Sequence, residues 1–310
     1  MPDVMIRSAE VPIAAHDSGG PGVPLLLLHG AGGNLANVAA LARALRPGHR
    51  VVSVDLRGHG RSGDGPWHWD AVLDDLAAVA DELGLERPAV VGMSLGGMLA
   101  TLWAARHPDC PGAVSLDGNP TPARPEDLAG MEPERAAVEL ARLREVFAGM
   151  SAALARPLSP DEVTAAVAGQ RALAQRYDSV PDDWVMAFHR NLVTVEGLTR
   201  LRPGPELTEQ LRVAMASLDL LPAYRAVRSP LLLVLATEDM PEQRPFADLY
   251  AAHRRGIAQR LDSVRDNPAL RVVHLDGASH AMLAERPGEL AGIVADFLAG
   301  AASRPRPPGT

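Results

Sequence analysis

The run Val90-Val91-Gly92-Met93-Ser94-Leu95-Gly96-Gly97 constrains this chain more than any other stretch, because an apolar strand ends in Gly-x-Ser-x-Gly and a helical pattern begins at once behind it. So abrupt a passage from strand to helix needs small residues beside the turn. Gly92 and Gly96 stand two residues before and after Ser94, where side chains would crowd a strained backbone, and Gly97 lets the new helix approach the sheet. A serine hydroxyl is a poor nucleophile, and such a turn presents it clear of its neighbours and within reach of a base. The N–H of Leu95 then points to where negative charge would develop on a carbonyl attacked by Ser94. Pro88 to Val91 reads as the strand, and Met98 to His107 as the helix, stopped by Pro108.

With 310 residues, 47% of them hydrophobic, the chain can build one large domain or a domain with an insertion. The formal charge of -8 and the lack of a long basic run argue against nucleic acid or an anionic membrane surface as a partner. All 30 basic residues are arginine, which removes any mechanism that needs a lysine. Cys110 is the single cysteine and cannot form an intrachain disulfide; no charged-then-apolar leader opens the sequence, so a cytoplasmic location is expected. The longest apolar runs, such as Val23 to Leu28, are too short to span a bilayer.

Residues 4–18 can supply one or two short antiparallel strands, and Pro24 to Leu28 reads as a buried strand ending in His29-Gly30-Ala31-Gly32-Gly33. That glycine cluster has neither the Gly-Lys-Ser/Thr nor the Gly-x-Gly-x-x-Gly form of a phosphate cradle. The same grammar recurs where Arg50 to Val54 runs into Asp55-Leu56-Arg57-Gly58-His59-Gly60-Arg61-Ser62. These two loops, the serine turn and a late Gly277-Ala278-Ser279-His280 occur in the order and rough spacing of the α/β-hydrolase superfamily, which the chain resembles over about residues 20–118 and 228–299. The resemblance implies an α/β fold: a doubly wound, mostly parallel eight-stranded sheet with helices on both faces and its active site at the carboxyl ends of the strands. It also implies that the N–H of Ala31 is a second oxyanion donor beside that of Leu95, with Gly30 bordering the substrate; His29 itself reads as a structural residue bonding its loop rather than a base.

Asp70 to Gly84 is an amphipathic helix, and Gly112 to Leu116 is the strand that delivers Asp117. From residue 119 to 228 the strand grammar gives way to helical periodicity over Glu132–Met150, Pro160–Tyr177, Asp182–Val195 and Glu206–Met215, best read as a helical cap inserted after the sixth strand. Large side chains are scarce, and Trp184 and Phe188 in this cap are candidates to face substrate. The core domain is then residues 1–118 and 229–300, and 301–310 has the composition of a disordered tail. The sheet resumes at Pro230 to Ala236, a helix runs from Pro245 to about Leu261, Leu270 to Leu275 makes the last strand, and Ala281 to Gly300 closes the domain as a helix.

His280, in the loop after that last strand, completes the chain order serine, acid, histidine; no other histidines have the spacing of a zinc site, and no metal or cofactor is expected. Two aspartates compete to orient its imidazole. Asp239 matches the commoner location in the superfamily, after the strand ending in Ala236, and is favoured; Asp117 lies where a minority of members carry the acid. The expected activity is serine-dependent cleavage of a carboxylic ester, lactone or thioester of a small to medium, mainly apolar substrate through an acyl-enzyme on Ser94. The alternatives are a biosynthetic tailoring step of thioesterase or cyclase type, and a ligand-binding sensor with slow hydrolysis. The expected partner is a small-molecule substrate, for a monomer or homodimer.

Overall fold

The computed structural model describes residues 3–9 and 11–302. Strands β1 (Val4–Ser8), β2 (Val11–Asp17) and β3 (Pro24–Leu28) are followed by α1 (Ala39–Leu45), β4 (Arg50–Val54), α2 (Trp69–Glu82), β5 (Ala89–Met93), α3 (Leu95–Arg106) and β6 (Ala113–Leu116). An insertion then brings α4 (Pro133–Ala155), α5 (Pro160–Arg176), α6 (Pro181–Arg190), β7 (Leu192–Val195), β8 (Leu198–Leu201), α7 (Pro205–Ser217) and α8 (Leu221–Ala226). The chain closes with β9 (Leu231–Ala236), α9 (Ala247–Asp262), β10 (Leu270–Leu275), α10 (Met282–Glu285) and α11 (Pro287–Ala302).

The main sheet has eight strands in the order β1-β2-β4-β3-β5-β6-β9-β10. The six from β4 to β10 are parallel, while β1 pairs antiparallel with β2 and β2 antiparallel with β4. Because side chains alternate along a strand, the continuous apolar runs feed two separate cores. Leu26, Leu28, Val90 and Leu233 join the core under α2 and α3, whereas Leu25, Leu27, Val91 and Val234 join the one under α1 and α11. Leu207, Leu211, Leu220 and Tyr224 of the insertion belong to the first of these cores, so its last two helices are packed into the sheet layer. Ala136, Leu140 and Leu143 of α4 form a third cluster with Phe246, Leu249 and Ala252 beside α9.

Several sequence-based boundaries need correction. The helix expected to reach Val195 stops at Arg190, and a hairpin follows in which Val195 faces Leu198. Its two-residue turn, Glu196-Gly197, has positive φ at both residues, the twist that suits tight hairpins. The β-branched run Val193-Thr194-Val195 favours strand, and Thr194 and Thr199 bond across the pair through their hydroxyls at 3.1 Å. Pro241 to Phe246 is a 3-10 turn ahead of α9, and the closing helix is broken at Arg286 into α10 and α11. α11 includes residues 301 and 302; the rest of the expected tail lies outside the described residues.

Candidate active site

The parallel strands end on one side of the sheet, and their following loops carry the predicted site residues. Ser94 is the turn between β5 and α3, with φ 54 and ψ -114, a strained conformation for a residue with a side chain. The glycines around it are forced by contact. A Cβ on Gly92 would lie 2.1 Å from the carbonyl group of Gly96, and one on Gly96 would lie 2.6 Å from the Leu28 oxygen. Gly30, in the loop after β3, comes so near that a Cβ there would be 3.2 Å from the Cβ of Ser94. Leu95 opens α3, so its N–H is among those that lack an intrahelical acceptor, at the helix end that favours negative charge.

Beside Ser94 stands Asp117. The Ser94 N–H donates to the carbonyl of Leu116 at 2.9 Å, and the Asp117 N–H to that of Val234 at 2.7 Å, so the two residues sit at the ends of adjacent strands. Asp117 also has positive φ, 46°. Its Oδ1 accepts the N–H of Ala236 at 3.1 Å, and its Oδ2 lies 2.6 Å from Nδ1 of His280. A carboxylate can only accept, so Nδ1 carries a hydrogen, and in the neutral imidazole Nε2 is the acceptor. The loop bearing His280 is braced by Glu285, whose carboxylate accepts the Ser279 N–H at 2.9 Å and its hydroxyl at 2.6 Å. That brace, made by a residue of the following helix, is not visible in the sequence.

The acid favoured from sequence, Asp239, is elsewhere. Its carboxylate is paired with the guanidinium of Arg254 on α9. The reason is local: the Thr237 and Glu238 N–H groups both donate to the Ala278 carbonyl, at 3.1 and 3.0 Å, tying the β9 loop to the His280 loop and carrying the chain onward toward α9. Asp117, not Asp239, is the carboxylate that meets the imidazole.

The glycine loop after β3 is held from several sides. His29 is fully buried; its Nε2 accepts the Leu56 N–H at 3.0 Å and its Nδ1 donates to the Gly30 carbonyl at 2.7 Å. Burial lowers its pKa to about 4, and that of the neighbouring buried His59 to about 3, so both rings are neutral. Gly30 also accepts the Gly33 N–H at 3.0 Å, closing a turn with Ala31 and Gly32, both exposed, at its tip. Trp184 is stacked on Tyr177, ring centroids 5.7 Å apart, with its indole N–H on the Ser179 hydroxyl, so it is occupied within the insertion. Phe188 is half-buried on α6, the helix that lies against the turn Leu35–Val38.

Reasoning from sequence also missed a buried polar network between α6 and these loops. Asp55, at the end of β4, is fully buried and accepts N–H groups from Leu35 and Arg61 and the Nε of Arg190. Burial pushes its carboxyl up, against the downward pull of Arg190. The signal was present, since an aspartate closing an apolar strand needs a buried partner. Among the described residues no cluster of three His, Cys, Asp or Glu side chains is placed to hold a metal, and no helix is long and apolar enough to cross a membrane.

Residues 25–293 match the alpha/beta hydrolase family, a stretch running from β3 to α11. The chain belongs to that family. It is an enzyme of the hydrolase class. With 2-hydroxymuconate semialdehyde hydrolase of Pseudomonas sp. (strain CF600) this hydrolase is 32% identical over 154 residues, 46% of this chain and 53% of the other; the match thus spans about half the length of that relative. With the pimeloyl-[acyl-carrier protein] methyl ester esterase of Yersinia pseudotuberculosis serotype O:1b (strain IP 31758) it is 26% identical over 286 residues, 88% of this chain and 92% of the other. The crystal structure of E-2-(acetamidomethylene)succinate hydrolase superposes with a TM-score of 0.71 at 24% identity, over 96% of this chain and 98% of that one, which shows a shared fold.

Proposed function

We propose that this hydrolase cleaves a carboxylic ester, lactone or thioester of a small to medium, mainly apolar substrate, with Ser94 as nucleophile and the insertion as a cap beside the site. The observation that carries the reading is the Asp117 carboxylate 2.6 Å from Nδ1 of His280, at the strand end next to Ser94. That bond fixes the tautomer in which Nε2 can take the Ser94 proton. Attack by Oγ forms a tetrahedral intermediate whose oxyanion is met by the N–H groups of Ala31 and Leu95. The imidazolium then protonates the leaving alcohol or thiol, leaving an acyl-Ser94. Water, deprotonated by the same imidazole, hydrolyses the acyl-enzyme and restores the serine. Gly30 leaves room beside Oγ for the substrate carbonyl, and α6, packed against the turn Leu35–Val38, carries the apolar Met186 and Phe188, in keeping with an apolar substrate.

The test is covalent. An alkyl fluorophosphonate is expected to modify Ser94, and no other residue, in folded protein; a mass shift elsewhere, or none, defeats the assignment. A panel of p-nitrophenyl esters, lactones and acyl thioesters of graded chain length then gives the substrate class, with turnover well above the rate of ligand release separating an enzyme from a slow sensor.

A further inference from the structure

Ala31 sits in a loop with glycine at three of its five positions from His29 to Gly33, and such a sequence does not hold a donor still by itself. The structure holds it from outside, through two asparagine side chains. Asn191, the residue that ends α6, donates its Nδ2 to the Gly32 carbonyl at 2.8 Å, across 159 residues of sequence. Its Oδ1 accepts the Nδ2 of Asn34 at 2.9 Å and the N–H of Gly60 at 3.3 Å. These partners fix which end of the amide is which, because Gly32 offers only an oxygen and Gly60 only a hydrogen. Asn34, fully buried, donates also to the Ala187 carbonyl at 2.7 Å and accepts the Ala36 N–H at 3.0 Å. The adjacent Arg190 anchors the same helix end to Asp55 at 2.8 Å and to Asp3 at 2.7 Å.

We infer that Asn191, acting with Asn34, is a positioning residue for oxyanion stabilisation: it clamps the Gly32 end of the turn while His29 clamps the Gly30 end, so that the Ala31 N–H between them is aimed before substrate arrives. This rests on the reading of Ser94 as nucleophile. Removing an oxyanion donor outright costs about 10²–10³ in kcat. A donor that is present but loosely aimed loses part of that effect, and the interaction lost is one made in the transition state. The expected signature is therefore in kcat rather than KM.

The experiment compares wild type with Asn191→Ala and Asn191→Asp. The second keeps the acceptor for Asn34 and Gly60 and replaces only the donor to Gly32, so it separates loss of that one bond from loss of the whole side chain, and thermal melts of both variants are read before their kinetics. Each is assayed with p-nitrophenyl acetate and with its thiono analogue, in which C=S replaces C=O. Sulfur is a poor hydrogen-bond acceptor, so the ratio of oxo to thiono rates reports how well the oxyanion is held. Both variants are expected to lose roughly 10- to 100-fold in kcat on the oxo ester with KM within about threefold, and the oxo/thiono ratio is expected to fall in step. Loss of activity with an unchanged ratio, or kcat within about threefold of wild type, overturns the inference. Fluorophosphonate labelling of Ser94 in the wild type is read separately: if that fails, the nucleophile assignment falls rather than the clamp.

Discussion

Exchanging Asp117 for asparagine tests the site most sharply, because the structure dictates what the new amide must do. One oxygen of Asp117 accepts the Ala236 N–H, so the carbonyl oxygen of the asparagine takes that place and its NH₂ is turned toward Nδ1 of His280. Nδ1 must then accept, the ring proton moves to Nε2, and the atom proposed to take the Ser94 proton is already protonated. Loss of the correct tautomer in this arrangement costs about 10⁴ in kcat, or about 5 kcal/mol at 1.36 kcal/mol per tenfold. Asp239→Asn removes only the pair with the half-exposed Arg254; it is expected to change kcat by less than about threefold and stability by no more than about 1 kcal/mol. Initial rates on a p-nitrophenyl ester, with thermal melts to show that both variants are folded, make the comparison. Asp117→Asn within tenfold of wild type, or Asp239→Asn equally crippled, would refute the reasoning.

Three further outcomes follow from contacts already described. Gly96→Ala places a Cβ 2.6 Å from the Leu28 oxygen and 2.8 Å from the His29 oxygen, backbone atoms that cannot turn aside, so it should cost about 1–3 kcal/mol or more in a denaturant melt; an unchanged midpoint would contradict the packing of the turn. Glu285→Gln keeps one acceptor for the Ser279 loop and Glu285→Ala keeps none, so kcat should fall further in the second than in the first, and equal values would free Glu285 from any part in holding His280. Stability should drop as pH falls from 6.5 toward 4. Folded His29 resists protonation until about pH 4, whereas the unfolded chain takes up the proton near 6.5, so this one group removes about 3 kcal/mol over that window, and melts at stepped pH should show the decline.

Much of the sheet was legible because buried parallel strands write themselves as unbroken apolar runs, and the candidate site was legible in the glycines, serine and histidine of the loops that end them. Ser94, Asp117 and His280 were all named on that basis. The choice between Asp117 and Asp239 was not legible, since both close apolar strands and the difference lies in an arginine fifteen residues further along α9 and in the positive φ that turns Asp117 toward the imidazole. The hairpin β7–β8 was hidden by Glu-Gly standing where Asn-Gly or Asp-Gly would have announced the turn. Asn191 was equally hidden, because a clamp made 159 residues away leaves no periodicity in its own neighbourhood.

His280 hangs from β10, which is an edge strand of its sheet and half-exposed along most of its length. Ser94 and Asp117, by contrast, follow β5 and β6 in the sheet interior. An edge strand gives up ladder bonds on one side only when it peels away, so it opens at a lower free energy than the strands it covers. His280 can therefore leave while Ser94 and Asp117 stay in register. Denaturant or heat should extinguish turnover well before the protein melts, and amide hydrogens of β10 should exchange ahead of those of β5, the imidazole acting as the first part of the machine to be disconnected and the first to be restored on cooling.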